Sequence, residues 1–241
     1  MDYYSTLAFV LKKESIKEHD SRYVFFTKEF GKLDLLASGA RKINAKLAGH
    51  LEIPTLVQIQ FTMSHNPRLI TALEDVPYLE IKHNNEALCT AFSITDLVDQ
   101  LVIQNQSDND IWELLFNTFY FLEKNLNKFP DISNFVSVYF NAQFLKILGF
   151  QPILEKCIEC GSKINNNFFS FDRKGIVCVV HHEKNDASIT DQQREFLKFL
   201  SNLDFHNFSQ IVIVRNILKE NEYLQEFLSK FTLIIKSDIL H

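Results

Sequence analysis

The sequence predicts a multi-domain protein: an N-terminal all-β barrel, then an α-helical domain with an inserted zinc-ribbon-like module. Three observations carry this expectation. Apolar residues alternate with a period of two up to about residue 80. From about residue 84 they recur at three- and four-residue steps instead, the helical period. Within the helical part stand two short-spaced pairs of metal donors, Cys157-x-x-Cys160 and Cys178-x-x-His181.

Five strands are expected in the first domain, at about residues 7–11, 22–27, 33–37, 57–61 and 69–73. Val57, Ile59 and Phe61 alternate cleanly with Gln58 and Gln60. Leu69, Thr71 and Leu73 continue that pattern. Turn signals separate the strands at Glu29-Phe30-Gly31, Ser38-Gly39 and Asn66-Pro67. Five strands in so short a span suit a small closed barrel, of which the OB-fold is one. An SH3-like barrel or an open meander would give the same pattern.

The second domain opens with a helix capped by Asn84 or Asn85, its apolar face running through Leu88, Ala91, Phe92, Leu97 and Leu101. Asp108 or Asp110 starts a second helix, and Pro130 breaks the chain after it. A third helix carries Phe135, Val138, Ala142, Leu145 and Leu148 on one face and stops at Gly149. Thr190 opens a fourth, and a last one covers about residues 217–231. The expected domains are therefore 1–80 and 81–241, with the metal module at about 155–183.

Seventeen residues separate the two donor pairs, enough for a hairpin that brings two tight knuckles together. Three thiolates and an imidazole suit one structural Zn2+. His182 is the alternative fourth ligand. Four filled positions leave no place for water or substrate, so the site is expected to build structure and not to catalyse. The remaining cysteine, Cys89, stands in an apolar context and is expected to be a buried, inert thiol.

Charge limits the partners. The chain carries a formal net charge of −5, yet residues 1–80 hold ten basic and ten acidic side chains and balance. Within them, residues 35–51 contain Arg41, Lys42 and Lys46 and no acid. This is a small basic island in an otherwise acidic protein. Phe is frequent, at 23 residues, and is expected chiefly in the cores. No long apolar segment predicts a membrane span, and free thiols beside a metal pattern predict a cytoplasmic protein.

One resemblance covers nearly the whole chain. The stretch Phe26-Thr27-Lys28-Glu29-Phe30-Gly31-Lys32-Leu33, running into Ala37-Ser38-Gly39-Ala40-Arg41-Lys42, is similar to the amino-terminal domain of the RecO family. Phe144-Leu145-Lys146-Ile147-Leu148-Gly149-Phe150-Gln151-Pro152, followed by Leu154 and Cys157-Ile158-Glu159-Cys160-Gly161, resembles a second part of it, and Ile235-Lys236-Ser237 a third. The resemblance implies an OB-fold ahead of a helical domain with a zinc module. It implies DNA repair and recombination by a protein that binds single- and double-stranded DNA. It also implies annealing of complementary strands coated by the single-stranded-DNA-binding protein SSB, contact with the acidic SSB tail, and, with RecR, loading of RecA. The family's last ligand is usually cysteine, so His181 is a departure, though a chemically conservative one.

The loop that carries Gly39, Arg41, Lys42 and Lys46 would lie at the barrel mouth, where OB-folds hold oligonucleotides. Cations there would track phosphates without reading sequence. Arg22, Lys32 and Arg68 are further nucleic-acid-binding candidates. Tyr23, Phe25 and Phe26 are expected in the core rather than as stacking platforms. An SSB-tail pocket needs an apolar floor with basic rims, for which Lys124, Lys128 and Lys146 are candidates. No metalloprotease, deaminase, P-loop or esterase motif is present, so no enzyme and no small-molecule substrate are expected. The competing expectation is a zinc-ribbon protein-interaction scaffold with little intrinsic DNA affinity.

Overall fold

The computed structural model describes residues 2–16, 20–38, 51–63, 66–129, 131–163, 168–203 and 222–240. The chain divides into two compact units, Met1–Ser137 and Val138–His241.

In the first unit, β1 (Tyr3–Ser15), β2 (Ser21–Thr27), β3 (Gly31–Ala37), β4 (Leu56–Thr62) and β5 (Arg68–Val76) form a closed barrel in the order β1-β2-β3-β5-β4. Closure depends on the length of β1. Its first half pairs with β4, from Tyr3 opposite Thr62 to Phe9 opposite Leu56. Its second half pairs with β2, and a register shift between Val10 and Lys12 bends the strand between the two partners. The ring is completed where β3 meets β5 in parallel, Leu36 opposite Arg68. Inside lie Val10, Tyr23, Phe25, Leu35, Ile59 and Phe61, all almost wholly buried.

β4 follows the alternation expected for it, and β5 does not. The register between them shifts so that Gln60 faces Thr71 and Phe61 faces Leu69, leaving Ile70 as an extra residue. A bulge moves every later side chain to the other face. Leu69 and Ala72 therefore reach the core, while Thr71 is exposed and Leu73 is 66% exposed.

Four helices follow the barrel: α1 (Leu79–His83), α2 (Asn85–Leu101), α3 (Asn109–Asn125) and α4 (Ile132–Ile147). Side-chain caps set two of the starts. Asn84 Oδ1 accepts from the Ala87 N–H at 3.0 Å. Asp108 Oδ1 accepts from Asp110 and Ile111 at 2.9 and 3.1 Å. The strand pattern ends near residue 80, but the compact unit extends to Ser137. Phe9 of β1 explains this: its ring lies 5.0 Å from Trp112 and 5.6 Å from Phe119, both on α3. Cys89 is exposed on α2, which corrects the expectation of a buried thiol.

In the second unit, α4 ends in a Schellman turn. Phe150 N–H reaches the Leu145 carbonyl at 2.8 Å, and Gly149 N–H the Lys146 carbonyl at 3.0 Å. Gly149 takes φ +81°, which a side chain would resist. A three-stranded sheet follows in the order β7-β6-β8, from β6 (Phe168–Ser170), β7 (Gly175–Val177) and β8 (Ala187–Ser188). Then come α5 (Asp191–Asn202) and α6 (Glu222–Leu240). Thr190 and Gln193 form a capping box at the start of α5. The last helix runs beyond the expected residue 231, to Leu240. Phe169 of β6 meets Phe227 and Phe231 of α6 at 4.6 and 5.7 Å. Among the described residues, no helix is long and apolar enough to cross a membrane.

Candidate metal centre and nucleic-acid face

Each donor pair sits on a backbone knuckle. After Cys157, the chain turns so that Gly161 N–H donates to the Cys157 carbonyl at 2.8 Å, with Gly161 at φ +69°. Ile158 N–H bonds the Ile176 carbonyl at 3.0 Å, tying the first knuckle to β7. Gly175 is needed on that strand because a Cβ there would stand 2.5 Å from Ile158 Cγ2. In the second knuckle, His181 N–H donates to the Cys178 carbonyl at 3.0 Å.

The knuckles bring Cys157, Cys160, Cys178 and His181 together, all four donor atoms lying within 4.8 Å of one another. Cys160 Sγ is 4.0 Å from Cys178 Sγ, and His181 Nδ1 is 3.2 Å from Cys178 Sγ and 3.9 Å from Cys157 Sγ. Tetrahedral zinc bonds of about 2.3 Å to sulfur and about 2.0 Å to nitrogen separate donors by about 3.5–3.8 Å. The spacing fits. His182 is engaged elsewhere: its Nδ1 lies 3.0 Å from the Val179 carbonyl, and its ring stacks on Phe168 at 4.2 Å. Among these residues, His181 is the one that completes the set.

The knuckle backbone also prepares the sulfur. Burial pushes the Cys157 thiol up, but N–H donors at Cys160, Cys178 and Glu159, with the Cys160 side chain, outweigh it. The thiol is lowered to about 6. The Cys178 N–H points at Cys157 Sγ from 3.4 Å. These four residues can hold a metal ion, and a four-protein-ligand site offers substrate no open position.

The basic candidates part company. Arg41, Lys42 and Lys46, with Gly39, lie outside the described residues. Arg22 and Arg68 both line one cleft of about 540 Å³ beside the β3–β5 closure, with Asp20, Asp34, Ile16, Met63 and Asn105. Arg22 Nε is 3.2 Å from Asp34 Oδ1, and both side chains remain partly exposed. Lys32 is a correction: it is no open phosphate contact. Its side chain is 11% exposed, with the ammonium 3.6 Å from Asp99 Oδ1 and also donating to the Asp99 carbonyl. The segment after α2 covers this end of the barrel face. Asn105 N–H bonds the Lys32 carbonyl at 3.0 Å, and the Gln106 carbonyl is 2.1 Å from where a Cβ on Gly31 would sit. Tyr23, Phe25 and Phe26 are core residues. Of the lysines considered for an acidic tail, Lys124 holds its ammonium 5.7 Å from the Tyr120 ring, which stacks on Phe116.

Sequence reasoning missed Arg173 and Asp186, whose side chains meet beside the second knuckle at 2.7 Å. Neither belongs to a donor pattern, and only the folded hairpin brings them there.

A small barrel with a polar cleft at its closure, followed by a helical unit that carries four clustered metal donors, is the class of two-domain protein that fold and site define. The description "Recombination protein O N terminal" matches residues 1–77, and "Recombination protein O C terminal" matches residues 83–231. The chain belongs to the RecO family. It is similar to the DNA repair protein RecO of Caldicellulosiruptor saccharolyticus, 25% identical over 242 residues that cover 99% of this chain and 96% of the relative. The DNA repair protein RecO of Acetivibrio thermocellus is 26% identical, covering 95% of this chain and 94% of that one. That of Dehalococcoides mccartyi is 23% identical, covering 91% and 86%. These relatives support a role in DNA repair and recombination.

Proposed function

We propose that this chain is a non-enzymatic recombination mediator. It binds single- and double-stranded DNA, anneals complementary strands coated by SSB, and acts with RecR to load RecA. Its barrel is read as an OB-fold, because strand order β1-β2-β3-β5-β4 with a parallel β3–β5 contact is the closed form of that Greek key. Its second unit carries a zinc-ribbon-like module with one structural Zn2+ held by Cys157, Cys160, Cys178 and His181. It works in the cytoplasm, at the nucleoid during repair.

The observation that carries the DNA-binding reading is the cleft beside the barrel closure that Arg22 and Arg68 both line. Two guanidiniums beside apolar Ile16 and Met63 offer phosphate contacts and a surface for bases. Arg41, Lys42 and Lys46, which follow β3 in the sequence within a stretch free of acids, are further candidate cations. The acidic SSB tail is assigned to the helical part, with Lys124 beside exposed Tyr120 as the first candidate contact.

Titrating fluorescent single-stranded DNA at several salt concentrations tests this. Binding should weaken steeply with salt, and Arg22→Ala with Arg68→Ala should weaken it further and flatten the salt slope. Annealing of SSB-coated complementary strands should fall in parallel. No binding at low salt, with RecR present or absent, would instead favour the interaction-scaffold reading.

A further inference from the structure

Arg173 lies in the turn between β6 and β7 and uses every edge of its guanidinium. Nε donates to Ser170 Oγ at 3.0 Å. Nη1 donates to Glu159 Oε1 at 3.3 Å and, together with Nη2, to the His181 carbonyl at 3.2 Å. Nη2 also donates to Asp186 Oδ2 at 2.7 Å. Glu183 Oε1 stands 3.4 Å from Nη1.

These partners come from four separate pieces of chain. Glu159 sits between the two cysteines of the first knuckle. His181 is itself a donor of the cluster. Ser170 ends β6, and Asp186 follows the second knuckle. The Asp186 side chain is only 5% exposed, and it also accepts the Glu183 N–H at 2.7 Å. It therefore holds both the guanidinium and the loop that leaves His181.

We propose that Arg173, oriented by Asp186, is a positioning residue for the metal centre. It grips the backbone of His181 and the first knuckle together, so that the imidazole is presented to the three sulfurs. This rests on the reading that the four donors bind zinc. The grip needs a planar fork: two N–H groups share one carbonyl while others hold carboxylates on either side, which a lysine ammonium cannot reproduce. Charge works the same way. Glu159, Glu183 and Asp186 converge on this guanidinium, and without it Asp186, only 5% exposed, would stand as a buried uncompensated anion. Outer partners of this kind change metal affinity by about 10–100-fold in other sites.

The test uses the full chain loaded with Zn2+ or Co2+. Zinc release to a chromogenic chelator is timed, and the cobalt absorption spectrum is recorded, for wild type, Arg173→Met, Arg173→Lys and Asp186→Asn. Arg173→Met and Asp186→Asn should release zinc about 10–100-fold faster. Arg173→Lys should resemble Arg173→Met, and the cobalt bands should shift as the imidazole loosens. If Arg173→Met does not fold, Asp186→Asn gives the same reading with little change of shape. Variants that keep wild-type release and an unchanged cobalt spectrum overturn the inference alone. A wild-type chain that takes up neither metal overturns the zinc reading and the inference with it.

Discussion

His181 and His182 are adjacent, and one residue of spacing separates a metal donor from a stacking partner. C-x-x-H keeps the imidazole on the inner side of the Cys178 knuckle, whereas the next residue points toward Phe168. His181→Ala should therefore lower bound zinc from about one per chain to near zero by metal analysis, while His182→Ala should leave it unchanged. The lowered Cys157 thiol carries a pH consequence. Its folded value, about 6, lies below the unfolded thiol, so its contribution is present above the unfolded value and is lost as pH falls through 6. In metal-free protein, the urea midpoint should rise as pH increases from about 6 to about 8.5, and Cys157→Ser should remove that rise. In the cleft, Asp34 holds Arg22 at 3.2 Å, and on the proposed DNA-binding reading it would compete with phosphate. Asp34→Asn should tighten single-stranded DNA binding by a few-fold, consistent with an exposed pair worth about 0.2–1 kcal/mol. Unchanged affinity would remove Asp34 from the site.

At the scale of elements, local chemistry sets the ends and long-range packing sets the phase. Asp108, Asn84 and Thr190 are readable as caps because a short polar side chain before an apolar run satisfies free N–H groups. Asp108→Ala should cost about 1 kcal/mol in a chemical melt. The bulge at Ile70 was not readable, since it depends on β5 matching β4 across the barrel and not on its own sequence. Gly31 has two reasons to be glycine: φ +67° and the Gln106 backbone pressed against it. Gly31→Ala should therefore destabilise the first unit by more than the roughly 1 kcal/mol of an ordinary left-handed position. A loss within that ordinary range would mean that the segment after α2 can retreat from the barrel.

For the whole molecule, the two units should respond differently to metal. The first knuckle is tied to β7 through the Ile158 N–H inside the second unit, and the barrel has no such donor cluster among its described residues. Chelation should lower the calorimetric transition of the second unit by about 10 °C or more, at about 4–8 °C per kcal/mol lost, and leave the barrel transition in place. A single transition that does not move on complete zinc removal would refute a structural role for the metal.

The sequence by itself determined the five barrel strands, the change to helices, the three cysteine donors and the family, and it narrowed the fourth donor to His181 or His182. These follow from periodicity, from short fixed spacings and from motifs held within a few residues of one another. Tertiary structure decided what depends on distant residues meeting. It closed the barrel through β3 and β5, buried Lys32 against Asp99 and set Arg22 and Arg68 along one cleft. It also extended the first compact unit through α3, where Phe9 packs on Trp112, and set Arg173 behind His181. The physical reason is the same throughout. A local rule reads what a residue can do with its neighbours in sequence, whereas burial and charge pairing are settled by neighbours in space.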